Sequence, residues 1–178
     1  MTDEQIMLQV KGGQINSLSI LFQRYQVPLY NFFLRQTRDE QLSEDFTQNV
    51  FERILKYRYS YKAEASFRSW IYQIARNVRT DHYRLNKVRI DDNVDLPSLT
   101  LMAESIEDQL ESKEQEKLLE WAISQLKNEY REVLILGWIE KMKYADVSKI
   151  LGISEANVKV RMHRAVKQLK TIVQRTKC

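Results

Sequence analysis

Glycine and proline are scarce, four and two among 178 residues, and cysteine occurs once. With Leu, Ile, Glu, Gln, Lys and Arg abundant, this composition points to an all-helical protein. No glycine-rich phosphate loop can be found. The lone Cys178 cannot close an intrachain disulfide, which fits a reducing, cytoplasmic setting. The two histidines, His82 and His163, lie far apart in the chain. No ligand cluster for a metal is readable, and no carboxylates form a recognisable catalytic pair. The sequence therefore argues against an enzyme: no catalytic residue, cofactor or metal is expected. No apolar run approaches the ~20 residues that cross a bilayer, and the N-terminus lacks the basic-then-apolar pattern of a secretory signal. Direct membrane insertion is not expected.

What the chain does have is charge in blocks. Residues 53–89 carry ten Lys/Arg against two Asp/Glu. Residues 91–120 carry the reverse, two against ten, and residues 141–178 return to ten against two. Two basic blocks flanking an acidic one suggest two contacts with a polyanion. Chance clustering on solvated helix faces is the alternative.

Tyr144 to Ala165 looks like a helix-turn-helix. Ser148 offers a small side chain where two helices cross. Gly152 can take the left-handed conformation that ends the first helix. Ser154 can N-cap the second, and Val158 plugs the angle between them. Lys159, Arg161, His163, Arg164, Lys167 and Lys170 then give the second helix a basic face, with Val158, Met162, Ala165 and Leu169 packing inward.

The first half is helical by periodicity. Leu18, Leu21, Phe22, Tyr25 and Leu29 recur at spacings of three and four, and Pro28 marks a kink or a new helix start. A second helix is expected after Ser43, with Phe46, Val50, Phe51, Ile54 and Leu55 as its apolar set. Asp45, Gln48, Asn49 and Glu52 lie off that stripe, open to a partner. Lys56 to Ser66 reads as a loop. From Phe67 onward, Phe67, Trp70, Ile71, Ile74, Ala75 and Val78 make one apolar face. Aromatic residues among cations suit single-stranded nucleic acid, where stacking is worth about 1–3 kcal/mol per base, although Trp70 at helical spacing is by default a core residue.

Three motifs carry a resemblance. Ser43-Glu44-Asp45-Phe46-Thr47-Gln48-Asn49-Val50-Phe51 resembles the "EDxxQxxF" segment of bacterial sigma factors. Phe67 to Asn77, followed by Asp81-His82-Tyr83-Arg84, resembles their "FxxWLYxIARN…DxxR" segment. The helix-turn-helix is similar to their promoter-distal domain. Order, spacing and length match the short extracytoplasmic-function (ECF) group. The resemblance implies two small helical domains joined by a flexible acidic linker: domain two over 1–88, the linker over 89–111 and domain four over 112–178. Near Ser112 a helix resumes, with Leu118, Leu119, Ala122, Ile123 and Leu126 inward, and a further one carries Tyr130, Val133, Leu134 and Leu136 to Ile139.

The resemblance also implies roles. Asp45 and Gln48, supported by Phe51, would contact the beta-prime subunit of core RNA polymerase; beta is the other subunit expected to be touched. Asn49 stands where relatives often have Glu. Tyr61, Lys62, Trp70, Arg76, Asn77, Arg79 and Arg84 would serve the minus-10 element. Asn77 would hydrogen-bond a flipped base in a pocket lined by Tyr61, and the arginines would hold phosphates. The amide suits this because it joins a donor and an acceptor on one plane. Ser154, Lys159, Val160, Arg161, His163, Arg164 and Lys167 would serve the minus-35 element, with Arg164 best suited to a bidentate guanine contact. Arg161 would meet phosphate or brace the domain. Ala156-Asn157 replaces a frequent Gly-Thr, and Val160 replaces a small polar residue, so the minus-35 sequence cannot be taken over from relatives. The acidic linker would thread a basic channel of polymerase or act as a solvated spacer. Core polymerase, promoter DNA and an anti-sigma factor are the expected partners of a chain monomeric when free. An autonomous helix-turn-helix repressor or activator is the rival reading; it accounts for 112–178 but leaves Asp45, Gln48, Trp70 and Asn77 without a role.

Overall fold

A computed structural model describes residues 1–89 and 110–176. The expected acidic linker lies almost wholly outside these residues. Every regular element among them is helical.

The N-terminal unit holds α1 (Asp3–Lys11), α2 (Leu18–Thr37), α3 (Glu40–Tyr57) and α4 (Phe67–Arg89). Helix α1 opens with a capping box: Thr2 accepts from the Gln5 N–H, and the Gln5 side chain accepts from the Thr2 N–H. Helix α2 continues through Pro28. Leu21, Tyr25, Leu29, Phe32 and Phe33 are buried on both sides of the proline, so tertiary packing holds a helix that local propensity would interrupt. Phe22, expected in the same apolar stripe, is instead 41% exposed.

Helix α3 starts earlier than expected. Asp39 rather than Ser43 is its N-cap, accepting from the Leu42 N–H at 2.9 Å. Ser43 is buried inside the helix and donates back to the Asp39 carbonyl at 2.6 Å. The helix also runs on to Tyr57, and a short 3-10 turn occupies Arg58–Ser60. This shortens the loop expected over 56–66 to about residues 61–66.

The C-terminal unit holds α5 (Leu110–Ser124), α6 (Asn128–Leu134), α7 (Tyr144–Leu151) and α8 (Glu155–Thr176). Between α6 and α7, Ile135–Ile139 winds as a π-turn, closed by the Glu140 N–H on the Ile135 carbonyl at 2.8 Å. Gly137 sits where a Cβ would come within 2.5 Å of the Met162 methyl, so α8 approaches the backbone of the turn. Lys141, at the end of the turn, has φ 51, a left-handed conformation that a side chain disfavours. Met162, Ala165, Leu169 and Val158 are buried, as their spacing predicts.

The two units pack together. Helix α4 lies on α7, and α2 lies on α5 and α6. The joint is polar. Glu140 is buried, yet its carboxylate accepts the Tyr72 hydroxyl at 2.5 Å and Arg68 at 3.2 Å. Arg68 also donates to the Glu140 carbonyl at 2.6 Å. Arg35 pairs with Glu120 at 2.9 Å.

Candidate nucleic-acid interface

Helices α7 and α8 form the most complete surface. Gly152 has φ 66 and returns its N–H to the Ser148 carbonyl, which ends α7. The Ser148 hydroxyl donates to the Ile153 carbonyl at 2.7 Å, so this residue ties the turn as well as sparing room. The Ser154 hydroxyl accepts from the Asn157 N–H at 3.2 Å and starts α8. Because Val158, Met162, Ala165 and Leu169 face inward, Lys159, Val160, His163, Arg164 and Lys167 emerge on the exposed side. Lys159, Arg164 and Lys167 on one face of a long helix suit a groove lined by phosphates. Arg161 departs from the row. It is partly covered and lies 3.6 Å from Glu129 on α6.

A second surface centres on α4. Asn77 is exposed, as are Lys62 and Arg84. Tyr61 is fully buried; its ring packs 5.1 Å from Trp70 and 6.1 Å from Phe67. Its hydroxyl donates to the Ala65 carbonyl at 2.7 Å, closing the 61–66 loop on itself. Burial pushes that phenol up to about 12, helped by the negative charges of Glu4 and Asp3. Trp70 is half-buried, between the core role its spacing suggests and a free stacking surface.

Arg76 and Arg79 do not stand free. Both turn toward Glu132 of α6: Arg79 is hydrogen-bonded to its carboxylate, and the Arg76 Nε lies 3.8 Å away. The pairing is incomplete, since the Nε donors of Arg76 and Arg79 are buried without a hydrogen-bond partner. Sequence reasoning missed Glu132, Glu140, Arg68 and Tyr72 as the residues of this joint. No local signal marks them, because each finds its partner more than fifty residues away.

The third surface is the outer side of α3. Asp45 and Gln48 are exposed. Gln48 helps line an open groove between α2 and α3, with Phe22, Gln26, Val27, Tyr30, Glu44 and Thr47, while Asp45 accepts from Gln41 at 3.3 Å. Phe51 is buried and supports this groove from behind, its ring 4.8 Å from Phe22. Asn49 is turned aside and accepts from Arg53 at 2.9 Å. Among the described residues no His, Cys, Asp and Glu side chains cluster as metal ligands, and no helix is long and apolar enough to cross a membrane.

Comparison with known proteins shows the family of the chain. Residues 21–88 match the family described as Sigma-70 region 2, and residues 116–169 match Sigma-70, region 4. The chain is 32% identical over 155 residues to the ECF RNA polymerase sigma factor SigM of Bacillus subtilis, covering 87% of this chain and 94% of that protein. It is 27% identical over 173 residues to SigW of the same organism, covering 91% of each. Among solved structures, CnrH in complex with the cytosolic domain of CnrY superposes with a TM-score of 0.73 at 20% identity, over 97% of both chains. The sigma factor RpoE of Bartonella quintana, in complex with the anti-sigma factor NepR, gives the same score and identity over 88% of this chain and 96% of that one.

Proposed function

Because the chain belongs to the ECF group of RNA polymerase sigma factors, the initiation factors that direct core polymerase to promoters, we propose how its residues divide that work. Residues 1–88 form the unit that meets polymerase and the minus-10 element, residues 89–111 connect, and residues 112–178 read the minus-35 element. The protein acts in the cytoplasm, catalyses no reaction of its own, and is monomeric when free. An anti-sigma factor is its further partner, as NepR is for RpoE in the solved complex.

The observation that carries this reading is the exposed polar side of α3, Asp45 and Gln48, with Gln48 lining the Phe22–Val27–Tyr30 groove. An autonomous repressor has no use for that surface, whereas a subunit that docks on polymerase requires one. Phe22 and Val27 supply apolar area, and Asp45 and Gln48 supply the polar rim that fixes orientation.

At the minus-35 element, α8 enters the major groove with Arg164 aimed at guanine, Lys159, His163 and Lys167 near phosphates or base edges, and Val160 near a thymine methyl. The Ser154 end carries the helix N-terminus, where a phosphate is favoured. At the minus-10 element, one base leaves the stack, at a cost of a few kcal/mol, and is held by the Asn77 amide above the 61–66 loop. Tyr61 acts there from beneath, as the buried floor that fixes Lys62 and its neighbours. Lys62, Arg76, Arg79 and Arg84 hold the backbone, and Trp70 supports the loop. For Arg76 and Arg79 to meet phosphates, their contacts with Glu132 must first be released.

In vitro transcription with core enzyme on a library randomised at both elements tests the assignment. Selection of two separated sequence elements is the expected result. Tight, sequence-specific binding of promoter duplex by the protein without core would instead favour the repressor.

A further inference from the structure

Helix α1 lies outside the matched region, which begins at residue 21, yet it grips the 61–66 loop at both ends. Lys11 extends its ammonium to the carbonyl of Tyr61, the first residue of the loop, at 2.6 Å. Glu4, two turns earlier on the helix, accepts from the N–H of Phe67, the residue immediately after the loop, at 3.1 Å. Both contacts are partly buried and charge-assisted, which makes them shorter and stronger than neutral hydrogen bonds. Glu4 also satisfies one of the orphan donors at the start of α4 and places negative charge at the positive end of its dipole.

Helix α1 is itself firmly seated. Ile6, Met7 and Val10 are fully buried. Asp3 binds α2 twice, accepting from Arg24 at 2.5 Å and from the Tyr25 hydroxyl at 2.6 Å. The loop between the two grips is short and exposed from Lys62 to Ser66. Inside it, only the Ala65 N–H to Lys62 carbonyl contact and the Tyr61 hydroxyl to Ala65 carbonyl contact fix its shape. The Tyr61 N–H also reaches the Arg58 carbonyl, and Ser66 accepts from the Ser69 and Trp70 N–H groups, so α1 adds the long-range contacts that set the loop ends relative to the rest of the unit.

We propose that Glu4 and Lys11 are positioning residues for minus-10 recognition: one short helix sets the conformation of the 61–66 loop and thereby which base the Asn77 site accepts. This rests on the reading that the loop and Asn77 together hold the flipped base. The effect is on discrimination, because Lys11 acts on the backbone at the start of the loop and Glu4 on the backbone just after it, while the α8 row and the Asp45–Gln48 surface are untouched.

The test uses the full chain assembled with core polymerase. Promoters differ only at single minus-10 positions, and transcription from the preferred base is divided by that from the others. Lys11→Met and Glu4→Gln are each expected to lower this ratio about tenfold, the loss that accompanies removal of one charge-assisted hydrogen bond from a positioned group. Minus-35 dependence and core binding stay at the parental level. Lys11→Arg, which keeps a cationic donor, retains the parental ratio. Asn77→Ala is the reference variant. If it alters the minus-10 ratio while Lys11→Met and Glu4→Gln, at parental melting midpoints, do not, the positioning role is overturned and the base-holding reading survives. If Asn77→Ala also leaves the ratio unchanged, that reading falls and the proposal with it. A uniform loss on every promoter would likewise overturn it, since that is what a merely destabilised α1 produces.

Discussion

Replacing Glu132 by Gln removes the one carboxylate that faces both Arg76 and Arg79. The side chains of Glu132 and Arg79 are only 13% and 14% exposed, so their attraction is weakly screened. Two unit charges about 4 Å apart attract by about 4 kcal/mol at an effective dielectric near 20. Desolvation takes back much of this, and the unpartnered Nε donors of both arginines show that the contact is imperfectly satisfied. A net contribution of about 2 kcal/mol is reasonable for hydrogen bonds to charged groups. That energy holds Arg76 and Arg79, the arginines proposed for the minus-10 element, against the C-terminal unit and lowers apparent affinity in proportion to the open fraction. Without polymerase, Glu132→Gln is therefore expected to bind a single-stranded minus-10 oligonucleotide up to about 30-fold more tightly, measured by fluorescence anisotropy at fixed salt. Glu116→Gln on the exposed side of α5 removes the same charge without touching the joint, and separates this gain from a general loss of repulsion. In the assembled holoenzyme the gain should vanish, because polymerase fixes the spacing of the two DNA contacts. Equal affinities for parent and Glu132→Gln at equal melting midpoints would refute the reasoning. So would a gain no larger than that of Glu116→Gln.

Other outcomes can be checked as directly. Arg164→Ala should weaken minus-35 recognition by about 1–3 kcal/mol and leave core binding intact, as read by competition between promoter duplexes. Lys141→Gly should raise stability by about 1 kcal/mol in urea denaturation, because Gly relieves the left-handed strain at an exposed position. Tyr25, Tyr61 and Tyr72 all have raised pKa values, chiefly from burial, with Asp3 contributing at Tyr25 and Glu140 at Tyr72. A raised folded-state pKa means that their stabilising contribution is complete below the ordinary tyrosine value of about 10 and is lost as pH rises through the folded values. Melting midpoints should thus be flat with respect to these groups below pH about 10 and fall above it, with late tyrosinate absorbance. Early ionisation of all nine tyrosines would count against the buried Tyr72–Glu140 joint.

Much of the helix-turn-helix could be read in the sequence because its determinants are local. The turn requires one residue with positive φ, and Gly152 has it. The cap requires an oxygen within reach of N–H groups two or three residues on, and Ser154 supplies it. Once a helix is given, spacing alone divides the buried Val158, Met162, Ala165 and Leu169 from the exposed Lys159, His163 and Arg164. Where local signals compete, the sequence is a poorer guide. Asp39 and Ser43 are both good N-caps four residues apart, and only packing of Leu42, Phe46 and Thr47 selects the earlier start. Proline at 28 argues for a break, yet burial on both sides of it keeps α2 whole.

By itself, then, the sequence determined an all-helical chain, the order of its motifs, and the faces of α3, α4 and α8, since periodicity and capping act within a few residues. The tertiary structure alone decided which of those exposed-face groups are free. Asn77 remains open and Arg84 keeps only an exposed contact with Asp81 at 3.4 Å, while Arg76 and Arg79 meet Glu132, Arg161 meets Glu129, and Tyr61 disappears under Trp70. Such pairings join residues brought together by the packing of whole helices, and a charge at one position carries no mark of the distant carboxylate that will neutralise it.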